Sequence, residues 1–170
     1  MVRSIPIEIQ PVAKSRVSEY DLTHVPFGKC FSDHMLVAEY VNGAWQKAQI
    51  LPYQDQPLSY AISALHYGQA IFEGMKAFRM ENGDITVFRP KRHHERMLRS
   101  LDRMCMPAVP EELFIGGLDE LIRLDSQWCP GTHGSSLYLR PFAFASEARL
   151  GVKISDRFHF IILPSPAGLY

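Results

Sequence analysis

The sequence predicts an α+β fold, an antiparallel or mixed sheet with helices packed on one side, and three observations predict it. Strand-like stretches come in pairs around turn signals. Two segments in the middle of the chain carry apolar residues at helical spacing instead. Two further strand patterns close the chain, so strand pairs surround two or three helices.

In chain order, residues 1–24 read as an extended arm containing two prolines, and residues 25–170 as one small α+β domain, with loose punctuation at Pro26 and Gly28. His34 to Val41 is strand-like, Asn42-Gly43 is a type I′ turn signal, and Trp45 to Leu51 can return as the second strand of a hairpin. Pro57 stands where a helix can begin, and Leu58 to about Gly74 carries apolar residues at helical spacing. Lys76 to Met80 and Ile85 to Arg89 flank Glu81-Asn82-Gly83-Asp84 as a second hairpin. From Pro90 the period is helical, with Met97, Leu98, Leu101, Met104 and Cys105 as one apolar stripe. Arg92, Arg96, Arg99 and Arg103 lie on another side. A further helix is expected from Glu111 to about Trp128, with Phe114, Leu118, Leu121 and Ile122 facing the core. Ser136 to Ala145 alternates as a strand, and Arg157 to Leu163 is a nearly continuous apolar one.

The composition limits the function classes. The chain has 170 residues, 46% hydrophobic and 21% charged, which fits a globular domain with a sizeable core. Its 18 basic and 18 acidic residues cancel, so no global field points to nucleic acid or an anionic membrane. Apolar runs are short and broken by charge, and no stretch has signal-peptide character, so cytoplasmic residence is the default expectation. Cys30, Cys105 and Cys129 form no CxxC pair and read as reduced thiols. The neighbours His93 and His94 point about 100° apart on a helix and would not converge on one metal ion.

Four clusters could carry chemistry. The first is Leu65 to Phe78, LHYGQAIFEGMKAF, where an interior glycine costs a helix about 1 kcal/mol relative to alanine. Gly68 and Gly74 therefore suggest close approach by a neighbour or a ligand. Tyr67 and Phe72 offer ring surface there, and Glu73 and Lys76 supply charge; the alternative is a core helix turning into a strand. The second is Arg89 to Arg96, a basic helix start where backbone donors and a guanidinium could hold a phosphate, or a solvated charged face. In the third, period two puts Tyr138 and Arg140 on one strand face, where a buried Arg140 would need an anionic partner, internal or from a substrate. Pro141 hints at an edge or bulge. The fourth comprises Leu150-Gly151-Val152 and the terminal Ser165 to Tyr170, which alone say little.

Together, LHYGQAIFEGMKAF, VFRPKRHHERMLRSLDRMCMP, SLYLRPFAFASEARLGV and FIILPSPAGLY, in this order and spacing, resemble the N-terminal part of branched-chain amino acid aminotransferases. These are fold type IV enzymes dependent on pyridoxal 5′-phosphate. Phe27 to Leu36 is similar to their N-terminal segment, so the resemblance spans nearly everything from about residue 25. The LHYGQAIFEGMKAF form favours branched-chain enzymes over D-amino-acid aminotransferases and aminodeoxychorismate lyases.

The resemblance implies that the domain is the small N-terminal domain of such an enzyme. It implies that Arg96 binds the cofactor phosphate. Phe27, Tyr67, Phe72, Tyr138 and Tyr170 would wall the substrate pocket, with Lys76 and Arg140 close to it. Val152 would lie in the loop that helps close the partner subunit's site in a homodimer. The substrates implied are leucine, isoleucine or valine and 2-oxoglutarate, with no nucleic acid or membrane partner and no metal. The family's Schiff-base lysine lies downstream of the SPAGLY-like segment, and none of Lys14, Lys29, Lys47, Lys76, Lys91 and Lys153 sits in that motif. The expectation is therefore that the large cofactor domain is missing, that no catalytic residue lies in these 170 residues, and that they are inactive alone. The alternative is a non-catalytic, stand-alone binding or interaction module built on the same domain.

Overall fold

The computed structural model describes residues 6–168. In chain order these form β1 (Ile7–Ile9), a 3-10 turn (Val17–Glu19), β2 (His34–Val41), β3 (Ala44–Trp45), β4 (Ala48–Pro52), α1 (Ser63–Tyr67), β5 (Ala70–Phe72), β6 (Met75–Arg79) and β7 (Ile85–Val87). They continue with α2 (Pro90–Arg103), α3 (Glu111–Leu124), a second 3-10 turn (Ser126–Trp128), β8 (Ser136–Ala145) and β9 (Phe158–Ala167). One mixed sheet runs in the order β1-β4-β2-β9-β8-β6-β7, with β3 added to β2 and β5 to β8. Only the β1–β4 pair is parallel among those described.

The first hairpin follows its turn residues. Asn42 and Gly43 both take positive φ, as a type I′ turn requires. Tyr40 faces Trp45 but Val37 faces Gln49, so the return strand carries one extra residue and splits into β3 and β4.

The helix expected from Leu58 to Gly74 is confined to Ser63–Tyr67. Gly68 adopts φ +66°, its N–H donates to the Ala64 carbonyl, and the chain leaves as a strand. A Cβ on Gly68 would meet nothing within 4 Å, so this glycine serves conformation, not close approach. Cys105 also departs from its expected stripe: α2 ends at Arg103, and Cys105 is exposed with φ +53°.

Strand alternation divides the sheet into two faces. Leu36, Leu137, Leu139, Ala143, Phe160 and Ile162 point to the side covered by α2 and α3, where Met97, Leu101, Leu113, Phe114, Leu118 and Leu121 complete the core. Gly117 of α3 lets the helix sit close, since a Cβ there would come 2.5 Å from Leu36 Cδ1.

The arm is built into the domain rather than trailing from it. Besides β1, Val12 N–H donates to His34 Nε2 (3.0 Å), which leaves Nδ1 to donate to Asp125 Oδ1 (2.6 Å). Asp33 accepts from Arg16 N–H (3.0 Å) and Trp128 Nε1–H (2.8 Å). Burial alone would raise the Asp33 carboxyl, but hydrogen bonds from Ser15, Trp128 and Arg16, with the Arg16 charge, hold it below its ordinary value.

Candidate active site

The uncovered face of the sheet gathers most of the residues expected to act on a ligand. β5 and β6 keep one register against β8, with Phe72 opposite Phe142 and Met75 opposite Leu139. They behave as a single strand interrupted at Glu73-Gly74. The interruption falls opposite Pro141, which accepts from Glu73 N–H at 2.8 Å but has no N–H to return. Pro141 thus sits mid-sheet on β8 with the register unbroken, at neither the edge nor the bulge its identity suggests, and the cost is a gap in the neighbouring ladder.

Alternation then puts Phe72, Lys76, Tyr138 and Arg140 on the uncovered face, with Lys76 directly across from Tyr138. The Arg140 guanidinium lies 4.4 Å from the Phe72 ring centre and donates through Nε (3.0 Å) and Nη2 (2.7 Å) to the Tyr138 hydroxyl. Among the described residues no carboxylate pairs with Arg140. Its partners are a hydroxyl and two aromatic faces. Because the Tyr138 oxygen accepts from arginine, its own O–H remains free to donate elsewhere. That oxygen lies over Gly74, where a Cβ would approach within 2.3 Å. Here the glycine does serve close approach. Phe27 meets the Tyr138 ring edge-on at 5.0 Å, which brings the N-terminal segment to the same cluster.

Glu73 alternates to the covered side and is 3% exposed. Arg96 of α2 donates to it through Nε (2.7 Å) and Nη2 (2.6 Å), and His93 Nδ1 lies 3.0 Å from Oε2. Burial pushes the Glu73 carboxyl up, but the Arg96 and then His93 hydrogen bonds outweigh it and hold the group below its usual range. His94 turns the other way, to the Val109 carbonyl at 2.7 Å. Sequence reasoning noted the charge of Glu73 but missed this pair. Strand period against the neighbouring Phe72 could have turned Glu73 toward the core, but not named Arg96 as its partner.

Tyr67 and Val152 stand apart from that cluster. The Tyr67 hydroxyl donates to the Leu150 carbonyl, and Arg149 N–H to the Ala61 carbonyl (2.8 Å). Both anchor the loop whose Val152 is 87% exposed. Tyr170 lies outside the described residues. No group of three or more His, Cys, Asp or Glu side chains among the described residues could hold a metal ion.

No protein-family model matches the chain. Comparison with curated proteins does find relatives. The chain is 43% identical over 151 residues to branched-chain-amino-acid transaminase 1 of Bacillus subtilis, covering 88% of this chain and 42% of that protein. Its relatives are branched-chain aminotransferases. The branched-chain-amino-acid aminotransferase of Mycolicibacterium smegmatis is 43% identical over 160 residues, covering 93% of this chain and 44% of its own length. The chain thus spans less than half the length of these relatives and corresponds to their N-terminal part. Among solved structures, the branched-chain aminotransferase of the archaeon Thermoproteus uzoniensis, with norvaline, aligns with a TM-score of 0.59 and 25% identity over 79% of this chain and 41% of that one. Another branched-chain amino acid aminotransferase, complexed with N-(5′-phosphopyridoxyl)-L-glutamate, aligns with a TM-score of 0.55 and 27% identity over 78% of this chain and 41% of that one. The fold is therefore that of the N-terminal part of fold type IV branched-chain aminotransferases.

Proposed function

We propose that this chain is the N-terminal part of a pyridoxal phosphate-dependent aminotransferase that exchanges amino groups between leucine, isoleucine or valine and 2-oxoglutarate. The carrying observation is the Phe72–Arg140–Tyr138 cluster, over Gly74 and beside Phe27, in a chain 43% identical to a branched-chain transaminase. Nothing in the relatives favours a stand-alone binding module.

The residues fit the cofactor's phosphate on one specific ground. Arg96 commits Nε and Nη2 to Glu73, and its side chain is still 57% exposed, so the Nη1 edge can take an anion. Bound there, the cofactor would supply the electron sink for removing the substrate's α-proton. The chain's own residues do the rest by binding and orientation. Phe27, Phe72 and Tyr138, with Tyr170, would enclose an apolar branched side chain, and Tyr67 would border it from the Leu150 loop it holds, although one methylene separates such substrates by only about 1–3 kcal/mol. Tyr138 would donate its free O–H to a substrate carboxylate, with Arg140 and Lys76 adding positive charge beside it.

The same reading makes the whole protein a cytoplasmic homodimer acting on free amino acids and 2-oxo acids, without nucleic acid or membrane partners. The Val152 loop, tied down through Tyr67, would reach the partner's site. No helix among the described residues is long and apolar enough to cross a membrane. Pyridoxal phosphate titrated into the full-length protein should give a bound-cofactor absorbance, with amino transfer from branched-chain L-amino acids. Transfer only from D-amino acids would overturn the substrate assignment.

A further inference from the structure

Glu73, in the interruption between β5 and β6, is out of place for a charged residue. It alternates toward the apolar side, where an unpaired carboxylate would be heavily penalised, and it is 3% exposed. Its two oxygens face three donors, Arg96 Nε, Arg96 Nη2 and His93 Nδ1, all from consecutive turns of α2. Its backbone is held as well, by the bond to the Pro141 carbonyl. Neighbouring α2 residues His94, Met97 and Leu101 are buried, so the helix that carries the donors is fixed in the core.

The pair is lopsided: the Glu73 side chain is 2% exposed and that of Arg96 57%. One edge of the guanidinium is thus clamped to a buried anion while the other faces out. A free surface arginine would sample many rotamers and lose that freedom on binding an anion.

We propose that Glu73 is a positioning residue, whose buried carboxylate holds the Arg96 guanidinium by its Nε–Nη2 edge and thereby presents the Nη1 edge to the phosphate of a phosphorylated cofactor. This rests on the phosphate role of Arg96 in the function proposed above. By Coulomb's law alone, deleting a negative charge beside a phosphate site should tighten phosphate binding. Preorganisation predicts the opposite sign.

The test uses the full-length protein with pyridoxal phosphate and, separately, inorganic phosphate. Glu73→Gln places an amide N–H₂ against the Arg96 and His93 donors and should weaken cofactor affinity by about tenfold. Glu73→Asp keeps the charge and should fall between the two, and it carries the same expectation if the Gln variant does not fold. In NMR spectra, Arg96 Nε–H, assigned by its loss in Arg96→Lys, should exchange slowly and be shifted by phosphate in the wild type. Both properties should vanish in Glu73→Gln. Unchanged or tighter cofactor affinity in Glu73→Gln, with only thermal stability reduced, would overturn the positioning role. A wild type that binds no pyridoxal phosphate would instead overturn the function reading. Inorganic phosphate and the Nε–H signal then decide the role of Glu73, and a signal unaffected by Glu73→Gln would overturn it.

Discussion

Gly117 and Gly74 both deny the chain a Cβ, but they do so on opposite faces of one sheet. At Gly117 an added methyl would meet Leu36 Cδ1 at 2.5 Å, inside a core where Leu36 is fully buried. At Gly74 it would meet the Tyr138 hydroxyl at 2.3 Å, on a face no helix covers. The first glycine protects packing, and the second protects the position of a functional group. On the covered face side chains are held by neighbours on all sides, so that face supplies stability. Around Tyr138 the other face is organised by a few directional contacts, Arg140 on Tyr138 and Phe72 among them, and Phe72 there stays largely exposed.

Large-to-small substitution should separate the two faces most strongly. Phe160→Ala, at a fully buried site, should cost about 3–5 kcal/mol in urea unfolding. Phe72→Ala, at a site 63% exposed, should cost about 1 kcal/mol or less, the scale of its contact with Arg140. Equal losses would break the division.

The glycines sharpen it further. Gly117→Ala should destabilise by about 1–3 kcal/mol, because the added Cβ would come 2.5 Å from Cδ1 of the fully buried Leu36 and 3.5 Å from Ile162 Cδ1. Gly74→Ala should cost less than that, since Tyr138 is only partly buried and the atom met first is the tip of its side chain, but near-ultraviolet circular dichroism should report the displaced ring.

Acid should act where carboxylates are buried and paired. Asp33 and Glu73 both sit below their ordinary pKa in the folded state, so their stabilisation is complete above the normal carboxylate range and is lost as pH falls through the folded values. Denaturation midpoints should therefore hold near neutrality and drop steeply below about pH 4. Asp33→Asn should flatten part of that drop and, by leaving the Trp128 indole N–H and Arg16 poorly paired, cost about 1–3 kcal/mol at neutral pH.

The smallest effect belongs to the loop at the sheet's end. Tyr67→Phe removes the hydrogen bond to the Leu150 carbonyl and should cost about 1 kcal/mol or less, read as faster proteolytic nicking of residues 149–156.

Much of the fold was legible where local chemistry and tertiary packing agree. β2 and β8 fall at the expected residues, because alternation on a half-buried sheet is a local signal. The segment before Gly74 misled for the converse reason. Its apolar spacing fits a helix, but Gly68 in the left-handed region ends one after Tyr67, and pairing with β8 then takes the chain. The uncovered-face cluster was partly readable, since period two places Tyr138 with Arg140, but Gly74 joins them only through cross-strand register. The Glu73–Arg96 pair and the arm contacts of Asp33 and His34 join residues far apart in sequence, and no local pattern encodes them.

The central claim, that the open face around Tyr138 binds the amino acid while the packed core of the opposite face supports it, is tested most directly by Tyr138→Phe in the full-length, cofactor-loaded protein. Loss of the hydroxyl should raise KM for leucine by about tenfold or more, the worth of one hydrogen bond to a charged group, with the unfolding midpoint near that of the wild type. An unchanged KM together with a large loss of stability would contradict the account.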